Sequence, residues 1–549
     1  MTQHKEAAMK LSVTVVAAVV SLFLVVSSWA DNTTPASRSG GQEKLGRVLF
    51  KTSCSPEAQK QFERALAMLH SFFFPETIKA FSAIPEADPN CAIAYWGIAI
   101  SQRPNPLVGP FDAATLKRGL DAIEKGETIG AKTERERDWL AALKEFYKNY
   151  DTVDQDTRTQ NYEKAMEALA KKYPDDVEAK VFWALALNET FDHKSMDPLV
   201  KAIQILEPLD RKYPDHPGIT HYLIHSYDFA PIAKRGVPFA NKYAKIAPSA
   251  PHALHMPSHI YSMVGMWEAS IAANARTVAA SNEYGAKAKL DGIYGAIPHS
   301  WDFMQYAYLQ LGQDGKAKAL MEEVAGVKKI YAPRYVTECG AAAVAARYML
   351  ERQDWKGAAS LPMLDLAKTP QAQAITHFTR ALGAARSDDL AAAQASIDKL
   401  TELRASLEKA GQPYWAGQTE VQILAAQAWV AQAQGDKAEA LKLMRGAADL
   451  EDASEKHVAM ENRLYPMREL LGDMLMLQGQ EREALKEYET SLKNAPMRLR
   501  GFYGAAKAAE ASGDAKKARE YSDKLASLTK NADSDRPELA GVRRRVSSK

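Results

Sequence analysis

Histidine binds transition metals and moves protons near neutral pH better than any other side chain, and in this chain it is unevenly distributed. Six of the twelve histidines fall between residues 221 and 299: His221, His225, His252, His255, His259 and His299. His221 and His225, and again His255 and His259, stand four residues apart, so each pair shares one face of a helix. Asp228, Asp302 and Tyr306 follow at comparable spacing. Three chemistries suit this set. Imidazole pairs near carboxylates are ligands for zinc, copper, nickel or iron; His221, His225, His255 and His259 form the candidate metal set, with zinc or copper as the candidate ion. Without a metal, imidazoles and aromatics can hold a peptide, a polar small molecule or an anion. The third reading is structural, and it requires a hydrogen-bond partner for each buried ring.

A metal with an open position activates water, and His beside Asp is a general-base pair. A metal-dependent, hydrolase-like enzyme is therefore the alternative to a binding function. The sequence has no H-E-x-x-H, no G-x-S-x-G and no phosphate-binding glycine loop, so no catalytic residue is assigned. Pro257 lies between His255 and His259, and a proline kinks a helix or starts one. If a helix begins at Pro257, the spacing argument lapses for that pair and holds only for His221 and His225.

These side chains must be positioned by helices. From Leu45 onward alanine and leucine recur at three- and four-residue spacing, with short Gly, Asp or Pro breaks. The breaks are themselves periodic. Gly472, Leu475, Gly479, Ala484, Tyr488 and Pro496 form one unit, and Ala506, Ala509, Gly513 and Ala518 repeat it 34 residues on. Small residues let two helices approach closely, the glycine makes the turn, and the proline ends the second helix. Weaker copies carry Ala428, Gly435 and Ala440, and Ala346, Trp355 and Ala358. Tyr173-Pro174-Asp175 reappears as Tyr213-Pro214-Asp215, and Gly265 and Gly312 take the turn of two further units. This pattern resembles the tetratricopeptide repeat, with about ten units across residues 55 to 530. Each hairpin cannot bury its apolar face alone, so the expected fold is an all-α, right-handed superhelical solenoid.

The resemblance implies more about the histidines. In tetratricopeptide proteins one face of each first helix lines a concave groove where partner peptides dock. Register places His221, His225, Asp228, His252, His255, His259, His299, Asp302 and Tyr306 on that face, in three consecutive units. The implied function is a scaffold that binds a partner protein, a peptide or a small ligand in this groove. The blocks His70-Ser71-Phe72, Cys91 to Gly97, His221 to His225 and His252 to His259 further resemble a group of exported bacterial tetratricopeptide proteins, which supplies a fold and a compartment and no activity. Phe72 to Phe74, Trp96, Trp183, Trp267, Trp301 and Trp429 read as core.

Charge and compartment narrow the partners. With 70 Lys+Arg against 68 Asp+Glu the chain is nearly neutral, which argues against a nucleic-acid binder. Lys5 and Lys10 precede an uncharged run, Leu11 to Val26, that ends in Ser28-Trp29-Ala30. This predicts a signal peptide over 1–30, cleaved after Ala30, and a periplasmic or secreted protein; an uncleaved anchor is the alternative, although the run is short for a ~20-residue span. Export suits a disulfide, for which Cys54 and Cys91 are the candidates, while Cys339 reads as a buried small residue. The expected organisation is a loose segment over 31–44, helical hairpins over 45–210, a His-rich centre over 211–330, further hairpins over 331–530, and a disordered tail over 531–549.

Overall fold

The computed structural model describes residues 43–540. The candidate signal peptide, nearly all of the segment 31–44 and the tail beyond 540 lie outside the described residues. The described residues form twenty-five helices, from Pro56–His70 to Ala515–Leu528, and their only strand-like pairing is one isolated bridge between Ile293 and Ile330. Each helix packs chiefly on its neighbours in sequence. The fold is the all-α solenoid of tetratricopeptide-like hairpins that the repeat predicts. No described helix is long and apolar enough to cross a membrane.

Local chemistry explains the hairpins. Gly479 at φ +72° turns the chain between Met467–Leu477 and Glu481–Asn494, a left-handed conformation that glycine alone adopts without strain. Where a Gly-Asp pair makes the turn, the aspartate then caps the next helix: Asp436 accepts from the Glu439 N–H and Asp514 from the Lys517 N–H, each cap contributing about 1 kcal/mol. The close approach also needs glycine. A Cβ on Gly504 would stand 2.3 Å from the Tyr488 ring, and one on Gly472 would stand 2.8 Å from it.

The N-terminal core is aromatic. Phe50 packs on Phe62 with ring centroids 4.9 Å apart, and Trp96 meets Trp139 at 5.1 Å and Phe182 at 5.2 Å. Cys54 and Cys91 are joined in a disulfide, Cα–Cα 4.9 Å, that ties the start of the Pro56–His70 helix to the start of Ile93–Ser101. Trp96, Trp267, Trp301 and Trp429 are buried. Trp183 is only partly buried and donates to Glu163.

Two features depart from a simple array. Residues 453–466, between the helices Lys437–Asp452 and Met467–Leu477, leave the stacking pattern and run into the interior. The Glu455 N–H donates to the His193 carbonyl at 2.7 Å, and the Glu461 N–H donates to Asp302 at 2.9 Å. Arg347 donates to the carbonyls of Asn462, Arg463 and Leu464. The following units return onto the middle of the chain, where Arg498 donates to Tyr306 at 2.7 Å and Trp267 donates to the Met497 carbonyl at 2.9 Å. The second departure corrects an expectation. Residues 531–540, read as the start of a disordered tail, are packed instead: Arg536 pairs with Asp314 at 2.5 Å, the Asp533 N–H donates to the Gly312 carbonyl, and Leu539 is buried. Polar composition suggested solvation there, but a buried arginine with a carboxylate partner holds the segment down.

Candidate metal centre

The helix Pro217–Tyr227 carries His221 and His225 one turn apart on its inner face. The His221 Nδ1–H donates to the His70 carbonyl at 2.6 Å. That bond fixes the tautomer and leaves a lone pair on Nε2. Nε2 of His225 lies 3.1 Å from this atom, and Nε2 of His252 lies 3.2 Å from it. One lone pair is thus approached by two further nitrogens. Ligand nitrogens around a tetrahedral ion, at ~2.0–2.1 Å from it, stand about 3.3 Å apart. Phe72 covers this triad, its ring 4.5 Å from that of His221 and 5.4 Å from that of His252. Its backbone is held at φ +50°, a strained conformation of the kind that concentrates at functional sites.

A second triad adjoins the first. His255 ends the short helix Pro251–His255, and His259 lies in Pro257–Met263. Pro257 does break the helix, as its position predicts, yet Met256 at φ −51° and ψ −37° keeps the turn continuous enough for both rings to meet. The His255 Nδ1–H donates to Asn274 Oδ1 at 2.7 Å, and Asn274 is itself oriented by donating to the Ser270 carbonyl at 2.9 Å. The His259 Nδ1–H donates to Asp228 Oδ2 at 2.7 Å. With both protons on Nδ1, the Nε2 lone pairs of His255 and His259 face each other at 3.0 Å. His299 completes the group, its ring 4.6 Å from His255, and the ligand atoms of all three rings lie within 4.8 Å of one another. Phe303 packs against the three rings at 4.8, 4.9 and 5.2 Å.

A proton is a poor way to relieve these facing lone pairs. Burial pushes His255 down to about 4 and holds His221, His225, His252, His259 and His299 well below their ordinary value, with neighbouring rings adding to the shift of these five. A metal ion relieves them directly. The Nδ1 contacts match the outer contacts of metal-bound histidine, in which a carboxylate, an amide or a backbone carbonyl holds the distal N–H and orients the ring.

Not every predicted residue belongs here. Asp228 does, and it also takes a 2.7 Å ion pair from Lys456 of the inserted segment. Asp302 and Tyr306 do not: Arg347 holds Asp302 at 2.6 Å and Arg498 holds Tyr306. The expected open groove is corrected as well. The nine positions turn inward, but His252 and His299 are partly exposed and the other seven are buried. Phe72 packs on His221 and His252, and Lys456 of the inserted segment pairs with Asp228, so these positions face protein. Sequence reasoning assigned four metal ligands and kept His252 and His299 only as groove residues; the structure groups all six. It missed Asn274, Phe303 and Lys456 and read Phe72 as core. His70, in one of the blocks that carry the family resemblance, was the available signal for the partner of His221.

A third buried group contrasts with these two. Glu178 accepts from His70 Nε2 at 2.9 Å, from His216 Nε2 at 3.0 Å and from the Leu49 N–H at 2.8 Å. His70 Nδ1 meets the Tyr222 hydroxyl at 2.9 Å, and His216 Nδ1 accepts from the Ile219 N–H at 3.2 Å. Every ring nitrogen in this group has a partner, so it fits the structural reading.

No family model matches the chain, and no curated protein does. Among solved structures, human IFIT1 dimer with m7Gppp-AAAA is similar over 80% of this chain and 90% of that one, at 12% identity and a TM-score of 0.36. Human IFIT1 dimer with PPP-AAAA covers 84% and 89%, at 10% identity and a TM-score of 0.35. The Naa15/Naa10 complex bound to HypK-THB covers 89% and 92%, at 12% identity and a TM-score of 0.23.

Proposed function

We propose that this chain is a metal-binding helical-repeat protein, with one transition-metal ion held by His221, His225 and His252 and another by His255, His259 and His299. The observation that carries the reading is the pair of Nε2 lone pairs, His255 and His259, facing each other at 3.0 Å while Asn274 and Asp228 hold both Nδ1 protons. Buried neutral imidazoles avoid such a contact unless a cation lies between them. The Cys54–Cys91 disulfide supports an oxidising, extracytoplasmic compartment. The test is metal analysis of tag-free protein purified without chelator. We expect about two transition-metal ions per chain, and about one in a His221→Ala/His225→Ala double variant that keeps its helical circular dichroism. Wild-type protein that holds no metal, and whose melting temperature does not move with added zinc or copper, refutes the reading.

A further inference from the structure

The two triads stand as close to each other as the rings within them. The His225 and His259 rings are 5.8 Å apart and the His252 and His255 rings 5.9 Å, against 4.6 to 6.4 Å between rings of one triad. Ions held this closely form one two-metal centre, in which spacings of ~3.5–4 Å are usual. Each ion would have three protein ligands, which would leave a position for an outside ligand.

Charge selects the metal. All six ligands are neutral, and the only carboxylate bonded to any of the six rings among the described residues is Asp228, whose charge Lys456 already matches. Two divalent ions would bring four uncompensated positive charges into a buried site, at high cost. Copper suits imidazole, and as Cu(I) it brings half that charge. We propose that the six histidines hold a coupled pair of copper ions that binds dioxygen between them. The proposal rests on the metal reading above and goes beyond it by naming the metal and the ligand.

The charge balance favours this ligand. Dioxygen takes one electron from each Cu(I), giving two Cu(II) ions and a bridging peroxide dianion; the O–O bond stays joined, its π bond is lost, and no proton moves. The added positive charge on the metals equals the negative charge on the peroxide, so the net buried charge is unchanged. The space beside the histidines also suits a diatomic molecule. A cavity of about 50 Å³ touches His225, and its walls combine Leu107, Phe191, Leu199, Phe229 and Val458 with Asn188, Glu189 and His193. Its volume suits a small molecule and excludes a peptide.

The test is to load metal-free wild-type protein with Cu(I) under anaerobic conditions, remove unbound copper and admit dioxygen. The expected result is about two coppers per chain and one dioxygen taken up per copper pair. A near-ultraviolet charge-transfer band should appear, with no paramagnetic signal because the two Cu(II) spins couple. His225→Ala should keep about one copper and show, after air oxidation, the paramagnetic signal of an isolated Cu(II). Val458→Trp should keep its copper and slow dioxygen uptake about tenfold. Copper that binds in pairs but takes up no dioxygen, or that oxidises to two uncoupled signals, overturns the proposal and leaves the metal reading standing. Zinc bound at both triads with copper refused does the same. Failure to bind any metal overturns both.

Discussion

Two groups of buried histidines sit side by side in this protein and are built on opposite plans. Around Glu178, His70 and His216 each use both ring nitrogens, and the carboxylate accepts three bonds. In the adjoining triads the outer nitrogens of His221, His255 and His259 are held just as firmly, but the inner nitrogens of His255 and His259 meet only each other, and that of His221 meets those of His225 and His252. Burial does not separate the groups: His70, His216 and Glu178 are buried, and so are His221, His225, His255 and His259. On the proposed metal reading, what separates a structural histidine from a ligand is whether the second nitrogen has been given a partner outside the cluster. His70 belongs to both plans, since its side chain completes the Glu178 group and its carbonyl orients His221.

The comparison can be broken by acid, and this is the largest effect expected. In metal-free protein the triad histidines are held below their ordinary value of 6.5, His255 at about 4, chiefly by burial. Between pH 6.5 and 4 the unfolded chain takes up protons that the folded rings refuse. Stability therefore falls as pH drops through that window, by about 1.4 kcal/mol per pH unit for each ring that stays neutral only when folded. Glu178 behaves differently. Burial alone would raise it, but His216 and His70 hold it below its ordinary value of 4.5. Its contribution is present above pH 4.5 and is lost as pH falls below it. Melting temperature against pH should therefore fall in two stages, and bound metal should shrink the first to the part that His70, His193 and His457, also lowered by burial, contribute. A single stage, unchanged by metal, would erase the distinction between the groups.

Next in size, Glu178→Leu leaves two histidines and the Leu49 N–H without an acceptor and should cost about 3 kcal/mol, read by urea unfolding, with metal content unchanged. Asp228→Asn should act the other way round. It removes the anion that holds His259 and pairs with Lys456, and should weaken metal binding about 10- to 100-fold, read by chelator competition. The smallest effect is that of Tyr222→Phe, which takes one hydrogen bond from His70 and should cost about 1 kcal/mol with no change in metal affinity. Loss of metal in that variant would make the Glu178 group part of the centre.

Local spacing made most of the fold legible. The turn glycines Gly265, Gly312, Gly435, Gly479 and Gly513, expected from the repeat, all have positive φ. The His221/His225 pair was legible for the same reason, since helical geometry makes residues four apart neighbours. Grouping His252 and His299 with the ligands required knowing how three units turn relative to one another, which spacing within a unit does not carry. Burial was invisible too, because it depends on residues 453–466 filling an interior that an ideal repeat leaves open. Nothing near Asp228 in the sequence points to Lys456, and composition misplaced residues 531–540 because Arg536 and Asp314 are 222 positions apart.

That same distance along the chain has a consequence for assembly. An open repeat array can fold from either end, unit by unit. Here Asp228 waits for Lys456, 228 residues later, and the first triad is covered by Phe72 from near the start of the described chain. The surroundings of the triads are complete only when the chain has been made through Lys456 and has folded back. On the proposed reading, metal retention then becomes a check on wholeness: a chain cut before Lys456 can build most of its hairpins and all six histidines, yet it keeps an unmatched Asp228 and an unsealed site.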